Sequence, residues 1–340
     1  MYLTYLLRRI VSLAITVAGI AIVTFFISLV VPLDPLATIA GPQAPPETVE
    51  RLRHVYGFDQ PAYVQFGRYI ERLAHGDLGT SFVTGRPVLD DIINFFPATL
   101  ELATGALLIS IVFGVALGVF SAVYQNSLID HVARVVSLIG VSMPVFWLGL
   151  VLLLVFYFKL GWAPAPGRLD LMLVEPDRVT GFLLIDSVIA GDWEVFRDAL
   201  RHIILPGAVL GLFGLAGIAR IVRSSMLEVL SQEYIKTARV KGLGEVRVVI
   251  RHALRNALVP TVTVIGLTYG GLLEGSVLTE TIFSWPGLGR YLTTAFLTLD
   301  LNAIVGGTML VAISYSVVNM GVDMLYTYLN PRISMGNGDG

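Results

Sequence analysis

Long apolar runs alternate with polar segments along the chain. The runs cover residues 10–31, 102–123, 135–158, 203–219, 258–279 and 303–322. An α-helix rises about 1.5 Å per residue, so about 20 apolar residues cross the ~30 Å hydrocarbon layer of a bilayer. The pattern therefore predicts six transmembrane helices.

The first run could belong either to a cleaved signal peptide or to a membrane helix. It is longer than the ~7–15 residue apolar core of a signal peptide. The Pro-Leu-Asp-Pro sequence that follows it is not a small-residue cleavage site, and Arg8 and Arg9 precede it. Because positive charge favours the cytoplasmic side, we expect an uncleaved helix that enters the membrane from the cytoplasm.

Two long polar segments, 32–97 and 159–202, are both net acidic. The first contains two patterns typical of short helices, at 46–58 with an end at Gly57 and at 62–74. The second contains Trp162 and Trp193, and tryptophan is enriched at membrane interfaces. We expect both segments to lie outside the cell and the first to be folded.

Two features interrupt the apolar runs. Pro144 lies within the third run, where a proline removes a backbone hydrogen bond and is expected to kink the helix. Glu274 is the one ionisable residue well inside an apolar run, and such residues usually face a cavity or a partner. Pro144 is either a packing kink or a bend that lines a pathway. Glu274 either lines a pathway or lies near the outer interface, bonded to the backbone.

Composition narrows the class of protein. Hydrophobic residues make up 55% and charged residues 14% of the 340 residues, with a mean hydropathy of +0.76, whereas soluble domains are about 25% charged. The chain is therefore an integral membrane protein. It has no cysteine, which excludes disulfides, thiol catalysis and cysteine metal sites.

The sequence predicts no catalytic or metal site. Its five histidines are scattered without the paired spacing of metal ligands, at His54, His75, His131, His202 and His252. It also lacks the G-x-x-x-x-G-K-[ST] motif that cradles nucleotide phosphates. The chain is therefore not expected to bind ATP in the manner of P-loop proteins.

Basic charge is concentrated between the fourth and fifth runs. Residues 220–257 contain eight Arg or Lys against three Glu, so this short loop is predicted to be cytoplasmic, with both chain termini on the same side. Arg247, Arg251 and Arg255 recur every four residues along one face of a predicted helix. The opposite, apolar stripe comprises Val246, Val249, Ile250, Ala253, Leu254 and Ala257.

A shorter helix is predicted just before this amphipathic helix. Ser231 is a candidate cap for its start, and it is expected to run to about Lys241. Gly242, Leu243 and Gly244 then supply the flexible backbone that ends one helix and opens the next. The local prediction is helix, glycine turn, helix.

These residues resemble the EAA loop of ABC-transporter permeases. Gly242 matches the loop glycine, and Lys236, Thr237 and Ala238 occupy the Glu-Ala-Ala positions, while a proline comes only later, at Pro260. These departures resemble the dipeptide, oligopeptide and nickel branch of the family. So do the phrases GDLGTSF at 76–82 and FSWPGLGRYL at 283–292. Within the branch, the sequence is most similar to the first permease subunits of dipeptide transporters.

The resemblance implies a fold and a location. The fold would be an all-α integral membrane protein with six transmembrane helices, the type I ABC importer (MetI-like) permease fold, with a folded periplasmic loop after helix 1. The chain would divide into an N-terminal transmembrane helix (1–31), a periplasmic loop region (32–97), a permease core (98–327) and a cytoplasmic tail (328–340). It would lie in the bacterial cytoplasmic (inner) membrane with both termini cytoplasmic.

The resemblance also implies a coupling site and partners. The EAA-like coupling segment 228–260 would contact a separate ATPase subunit through Tyr234, Lys236, Thr237, Ala238, Lys241, Gly242 and Leu243. ATP and Mg²⁺ would bind to that subunit, and this chain would hold no cofactor. The expected partners are a second permease subunit in a heterodimer, two ATP-binding subunits, a periplasmic or lipid-anchored peptide-binding protein and the lipid bilayer. Nucleic acid is not expected as a partner.

The predicted function is that of a permease subunit, not an enzyme, in a binding-protein-dependent importer of dipeptides or oligopeptides. A permease of the same family for nickel chelates or glutathione is an alternative. An ion-coupled secondary carrier is an alternative of a different class. Such a carrier would need several ionisable groups within the membrane as a relay, and in this sequence only Glu274 clearly qualifies as one. A membrane enzyme is disfavoured because no catalytic cluster is evident.

Overall fold

The computed structural model describes residues 2–30, 44–56 and 59–329 of the chain. Within these residues the secondary structure is helical, apart from one isolated bridge between Thr80 and Pro87. The all-α prediction is therefore confirmed for them. The predicted helix end at Gly57 and the last part of the predicted tail, 330–340, lie outside the described residues.

The helices follow one another along the chain with short connections. In order they are α1 (Tyr2–Val30), α2 (Pro46–Tyr56), α3 (Ala62–Ala74), α4 (Val88–Val123), α5 (Leu128–Ser142), α6 (Val145–Leu152, continued by a π-helical turn over Leu153–Lys159), α7 (Leu183–Ala190), α8 (Trp193–Leu230), α9 (Glu233–Val240), α10 (Glu245–Ile282), α11 (Leu288–Thr298) and α12 (Leu301–Leu329).

Among the described residues, four helical stretches are long and apolar enough to cross a membrane: α4, α8, α10 and Leu301–Val322 within α12. The pair α5 and α6 provides a fifth if it is counted as one broken span. The first apolar run lies in α1, whose apolar part, Val11–Ile27, is shorter. The chain is thus a multi-pass membrane protein, and the count of six spans stays a prediction.

Two of the spanning helices extend well beyond the apolar runs that indicated them. α8 begins at Trp193 rather than near residue 203, because the Asp192 side chain accepts the Val195 N–H at 3.0 Å and caps the helix. α4 begins at Val88 rather than near residue 102, with Asp90 and Asp91 in its first turn, where negative charge favours a helix. Both helices therefore continue from an apolar stretch into a polar one without a break.

The third run is broken, not kinked. Its first helix ends at Ser142 and the second begins at Val145, with Pro144 preceding the first helical residue. Met143 has an extended backbone with ψ 133°, as expected before a proline, whose ring disfavours the helical conformation of the residue before it. The two helical arms are bent by 107°, so the predicted interruption at Ser142–Pro144 is confirmed, but it is a break between two helices rather than the predicted kink within one.

The described chain forms two compact units. The first contains Pro97–Arg290 and the chain from Ser314 onward. In this unit α4 and α8 approach closely, because the Ser110 hydroxyl on α4 donates to the Gly211 carbonyl oxygen on α8 at 2.6 Å. A Cβ atom at Gly211 would come within 2.6 Å of the Ala106 carbonyl oxygen, so this contact requires glycine.

The second unit contains Tyr2–Phe96 and Tyr291–Ile313. It encloses two fully buried carboxylates, Asp91 and Asp300. Asp300 accepts the Ser81 hydroxyl at 2.6 Å and the Phe82 N–H at 2.7 Å, while Arg86 lies 2.6 Å from Asp91. The last two residues of the GDLGTSF sequence, Ser81 and Phe82, therefore donate hydrogen bonds to the buried Asp300 carboxylate.

Candidate functional site

The coupling helix α9 starts directly after the long helix α8. Only Ser231 and Gln232 separate them. The Ser231 hydroxyl donates to the Glu228 carbonyl oxygen at 2.7 Å, and its backbone is helical, so it closes α8. Gln232 precedes α9 without a side-chain capping bond. The prediction that Ser231 caps the shorter helix is wrong, because α8 continues up to it.

The turn after α9 depends on Gly242. Its φ angle is +78°, a left-handed conformation that glycine adopts at little cost. The Gly242 N–H donates to the Arg239 carbonyl oxygen at 2.9 Å and the Leu243 N–H to that of Ala238 at 3.3 Å, a common way to end a helix. Gly244 then precedes α10. The predicted glycine turn is confirmed.

The two faces of α9 have opposite environments. Ile235 and Ala238 are buried and pack into an apolar cluster with Val222 and Met226 of α8, and Leu243 packs against the edge of the same cluster. The exposed face carries Tyr234, Lys236, Thr237, Val240 and Lys241. Of the predicted coupling residues, Ala238 and Leu243 thus face the protein, whereas the charged and hydroxylated ones face outward.

Polar contacts hold α9 against α10. Across the glycine turn, Arg239 binds the Glu245 carboxylate through Nε at 3.1 Å and Nη2 at 2.6 Å. At the other end of α9, the Asn256 side-chain amide donates to the Tyr234 hydroxyl at 2.7 Å. The helix is thereby fixed at both ends, and its exposed face is presented in one orientation.

A π-helical turn over Val248–Leu254 changes the faces of α10. Val249, Ala253 and Ala257 are buried, as the apolar stripe predicted. Val246 and Ile250 are instead 73% and 59% exposed, and Val248, outside the predicted stripe, is fully buried. That part of the prediction is wrong, because a π-helical turn contains more residues than an α-helical one.

A buried carboxylate joins three helices beside the coupling segment. Asp130, near the start of α5, is fully buried and accepts the Ser121 hydroxyl of α4. Arg223 of α8 donates to it through Nε at 3.0 Å and Nη2 at 3.1 Å. Arg134 lies 3.3 Å away. Sequence reasoning missed this cluster, for which the one available signal was an aspartate in a short turn between apolar runs.

The structure gives Glu274 and Glu280, the two glutamates in the second half of α10, different surroundings. Glu274 is exposed, whereas Glu280 is fully buried. Glu280 accepts the Arg290 N–H at 3.0 Å, and a Cβ atom at Gly287 would come within 2.5 Å of its carboxylate. The buried glutamate that bonds to backbone is thus Glu280, which the apolar pattern did not single out. The pathway roles of Glu274 and Pro144 stay predictions.

Comparison with known proteins finds relatives over almost the whole chain. Residues 114–335 match the family described as "Binding-protein-dependent transport system inner membrane component", and residues 2–103 match the corresponding N-terminal family. The chain is 48% identical over 332 residues to the probable D,D-dipeptide transport system permease protein DdpB of Escherichia coli K12, covering 98% of each chain.

Two further relatives are similar over the same length. The di/tripeptide transport system permease protein DppB of Pseudomonas aeruginosa is 47% identical over 337 residues, covering 97% of this chain and 98% of the relative. The dipeptide transport system permease protein DppB of Alkalihalophilus pseudofirmus is 44% identical over 331 residues, covering 97% and 99%.

Proposed function

The chain belongs to the inner-membrane components of binding-protein-dependent transport systems, and from that premise we propose that it is a permease subunit of an ABC importer for dipeptides and short peptides. The observation that carries the substrate class is the similarity, over nearly the full length, to permeases named for D,D-dipeptide, di/tripeptide and dipeptide transport. The chain is a transporter subunit rather than an enzyme.

The proposal includes partners that supply energy and substrate. A second permease subunit completes the pathway as a heterodimer, two ATP-binding subunits hold ATP and Mg²⁺, and a periplasmic or lipid-anchored binding protein delivers the peptide. The absence of a P-loop motif from the sequence supports a separate ATPase. This chain binds no cofactor in the proposal, and the bilayer surrounds it.

The geometry of α9 supports its role as the contact with the ATPase. Tyr234, Lys236, Thr237 and Lys241 present an exposed polar face, which suits a protein partner. Ala238, Gly242 and Leu243 shape and seat that face. Because Ile235 is fully buried in a cluster shared with α8 and α10, a push on α9 moves the adjoining ends of those helices with it. Closure of the ATPase pair is thereby coupled to the pathway.

The proposed topology has six spans with both termini cytoplasmic. It counts α1 as the first span and the pair α5 and α6 as one broken span around Pro144. The density of basic residues in the short loop at 220–257 supports the cytoplasmic placement of α9. The segments 32–97 and 159–202 then lie in the periplasm.

Variants of Gly242 test the coupling role. A Cβ at this position meets no atom of the described chain within 4 Å, so within this chain a substitution acts through the backbone. We expect Gly242→Val to abolish peptide uptake and stimulated ATP hydrolysis by the assembled transporter. Gly242→Asn should keep most of both, since asparagine tolerates the left-handed conformation. Normal uptake by the assembled valine variant would refute the coupling role.

The substrate class is tested with the same assembled transporter. We expect ATP hydrolysis to rise with a di- or tripeptide-loaded binding protein, and labelled peptide to accumulate in proteoliposomes. A response to glutathione or a nickel chelate alone would move the chain to another branch of the family. Accumulation driven by an ion gradient without ATP would instead support a secondary carrier.

A further inference from the structure

Two parallel rows of side chains run along the first turns of α10. Val246, Ile250 and Leu254 form an apolar row, and Arg247, Arg251 and Arg255 follow each of them by one position. All three arginines are exposed. Within the part of the chain that the structure describes, none of them forms an ion pair or a side-chain hydrogen bond. This row therefore carries three charges that the described residues leave unneutralised.

The apolar row leads into an open groove between α4 and α10. The groove has a volume of about 520 Å³ and is lined only by apolar side chains, within the range of about 300–1,000 Å³ typical of small-molecule sites. Ile250 and Leu254 line its end next to the arginines, and Leu258 and Val262 continue it along α10. Val112 is among the residues that α4 contributes.

Charge and hydrophobicity change together along this groove. After Arg255 the next position in the basic row is Val259, which is exposed and apolar. The groove itself continues past that point to Val262 and Ile265. An occupant that fits both parts has a long apolar portion and, at one end, a negatively charged group.

We propose that the groove and the basic row form a binding site for one anionic phospholipid. An acyl chain occupies the groove between α4 and α10, and the phosphate of the headgroup lies at Arg251 and Arg255. The forked guanidinium donors of arginine suit the oxygens of a phosphate group. Basic residues at the end of a membrane helix attract anionic lipids. The site depends on the membrane location of the chain and on this surface being open to lipid in the assembled transporter, not on the proposed transport substrate.

Lipid titration with matched variants tests the site. The assembled transporter is placed in phosphatidylcholine nanodiscs, and phosphatidylglycerol is added while native mass spectrometry counts bound lipid. We expect each arginine to contribute about fivefold in affinity, so Arg251→Gln/Arg255→Gln should bind phosphatidylglycerol about 25-fold more weakly. Arg220→Gln serves as the control, because it removes an exposed charge on α8 that does not border the groove.

A second variant tests the apolar part separately. Ala116 lines the groove on α4, and Ala116→Phe should fill it and weaken the binding of phosphatidylcholine and phosphatidylglycerol alike, with the arginines intact. The double arginine variant should lose only the preference for the anionic lipid. Equal phosphatidylglycerol binding by the original protein and the arginine variant would overturn the proposal.

The test also distinguishes a protein occupant. The chain has no cysteine, so in a Val112→Cys variant the maleimide label found on this chain, read after the subunits are separated, reports on Val112→Cys alone. We expect labelling in the assembled transporter and protection by added phosphatidylglycerol. Failure to label in the assembly, or loss of the ATPase from the arginine variant with lipid binding unchanged, would assign this surface to a protein subunit and overturn the lipid site.

Discussion

Two buried carboxylates that contact or belong to α4 use the same chemistry in different settings, Glu101 within the helix and Asp130 beside its end. Glu101 accepts the Arg168 Nε–H at 2.9 Å and the Leu184 backbone N–H at 2.8 Å. Asp130 accepts Arg223 and the Asn126 backbone N–H, both at 3.0 Å. On α4 the two sites are marked by residues 101 and 121, which lie about 30 Å apart along the helix.

The two sites differ in the structural element that carries the arginine and in how far that arginine is exposed to water. Arg168 lies in a non-helical segment, is 10% exposed and stacks 5.9 Å from the centre of the Trp285 ring. Arg223 belongs to α8 and is 25% exposed. The first pair pins a loop to a helix in a sealed site. The second joins helices next to the coupling segment, and its arginine is partly open to water.

The largest effect is expected at the sealed pair. Glu101→Ala leaves the Arg168 guanidinium buried without its carboxylate, which should cost about 3–5 kcal/mol of stability. Thermal unfolding of the purified complex measures the change. Because removing both charges avoids the unpaired cation, Glu101→Ala/Arg168→Ala should be more stable than the single variant. Equal stability of the two would show that the pair is not the cause.

A smaller loss of stability, about 2 kcal/mol, is expected for Asp130→Ala, because Arg223 and Arg134 can turn toward water. Peptide uptake should fall further than stability does, since the joint between α5 and α8 is lost. Uptake and unfolding are compared at one temperature in the assembled transporter. The exchange Asp130→Arg/Arg223→Asp should recover part of the uptake. If uptake falls only in proportion to the amount of folded protein, the contact between Asp130 and Arg223 has a purely structural role.

The smallest effect concerns a third carboxylate, Asp186 in α7, the helix that follows the segment held by Arg168. Burial acts to raise the pKa of Asp186. Hydrogen bonds from the Thr180 hydroxyl at 2.7 Å and the Thr180 and Gly181 N–H groups outweigh that effect and hold the pKa below its usual value. The carboxylate therefore stabilises the fold above about pH 4, and this contribution is lost as the pH falls through the lowered pKa.

Asp186→Asn supplies the comparison for this pH dependence. At neutral pH the variant should be less stable by about 1 kcal/mol, the size of a typical hydrogen-bond contribution. Thermal unfolding measured from pH 7 down to pH 3 should show the difference narrowing as the carboxylate is protonated. A difference that stays constant with pH would contradict the role of the charge.

The apolar pattern predicted the positions of the spans that the structure describes, because a bilayer demands runs of a fixed minimum length. The glycines at 242 and 244 predicted the turn after α9, because a residue with a left-handed backbone is usually glycine. The apolar pattern did not predict where helices end, since α8 continues from Trp193 to Leu230 through changes of polarity. A hydrogen-bonding aspartate such as Asp192 can start a helix well outside the membrane layer.

Contacts between distant residues were beyond the sequence. Asp130 and Arg223 are 93 positions apart, and their pairing depends on which helices become neighbours. The environment of Glu280 likewise depends on the close approach of Gly287. The π-helical turn in α10 places Val248 inside and Ile250 outside. The sequence did not predict this, because an apolar stripe read at α-helical spacing does not reveal the extra residue of a π-helical turn.

The length of α8 has a mechanical consequence. Its 38 residues extend about 57 Å, nearly twice the thickness of the hydrocarbon layer. One end follows α7, the helix that contains Asp186, and the other leads through two residues into α9. Because α8 is continuous between these ends, we expect a tilt imposed at one surface of the membrane to be passed along the helix to the other, with Pro206 as the point where bending would absorb part of it.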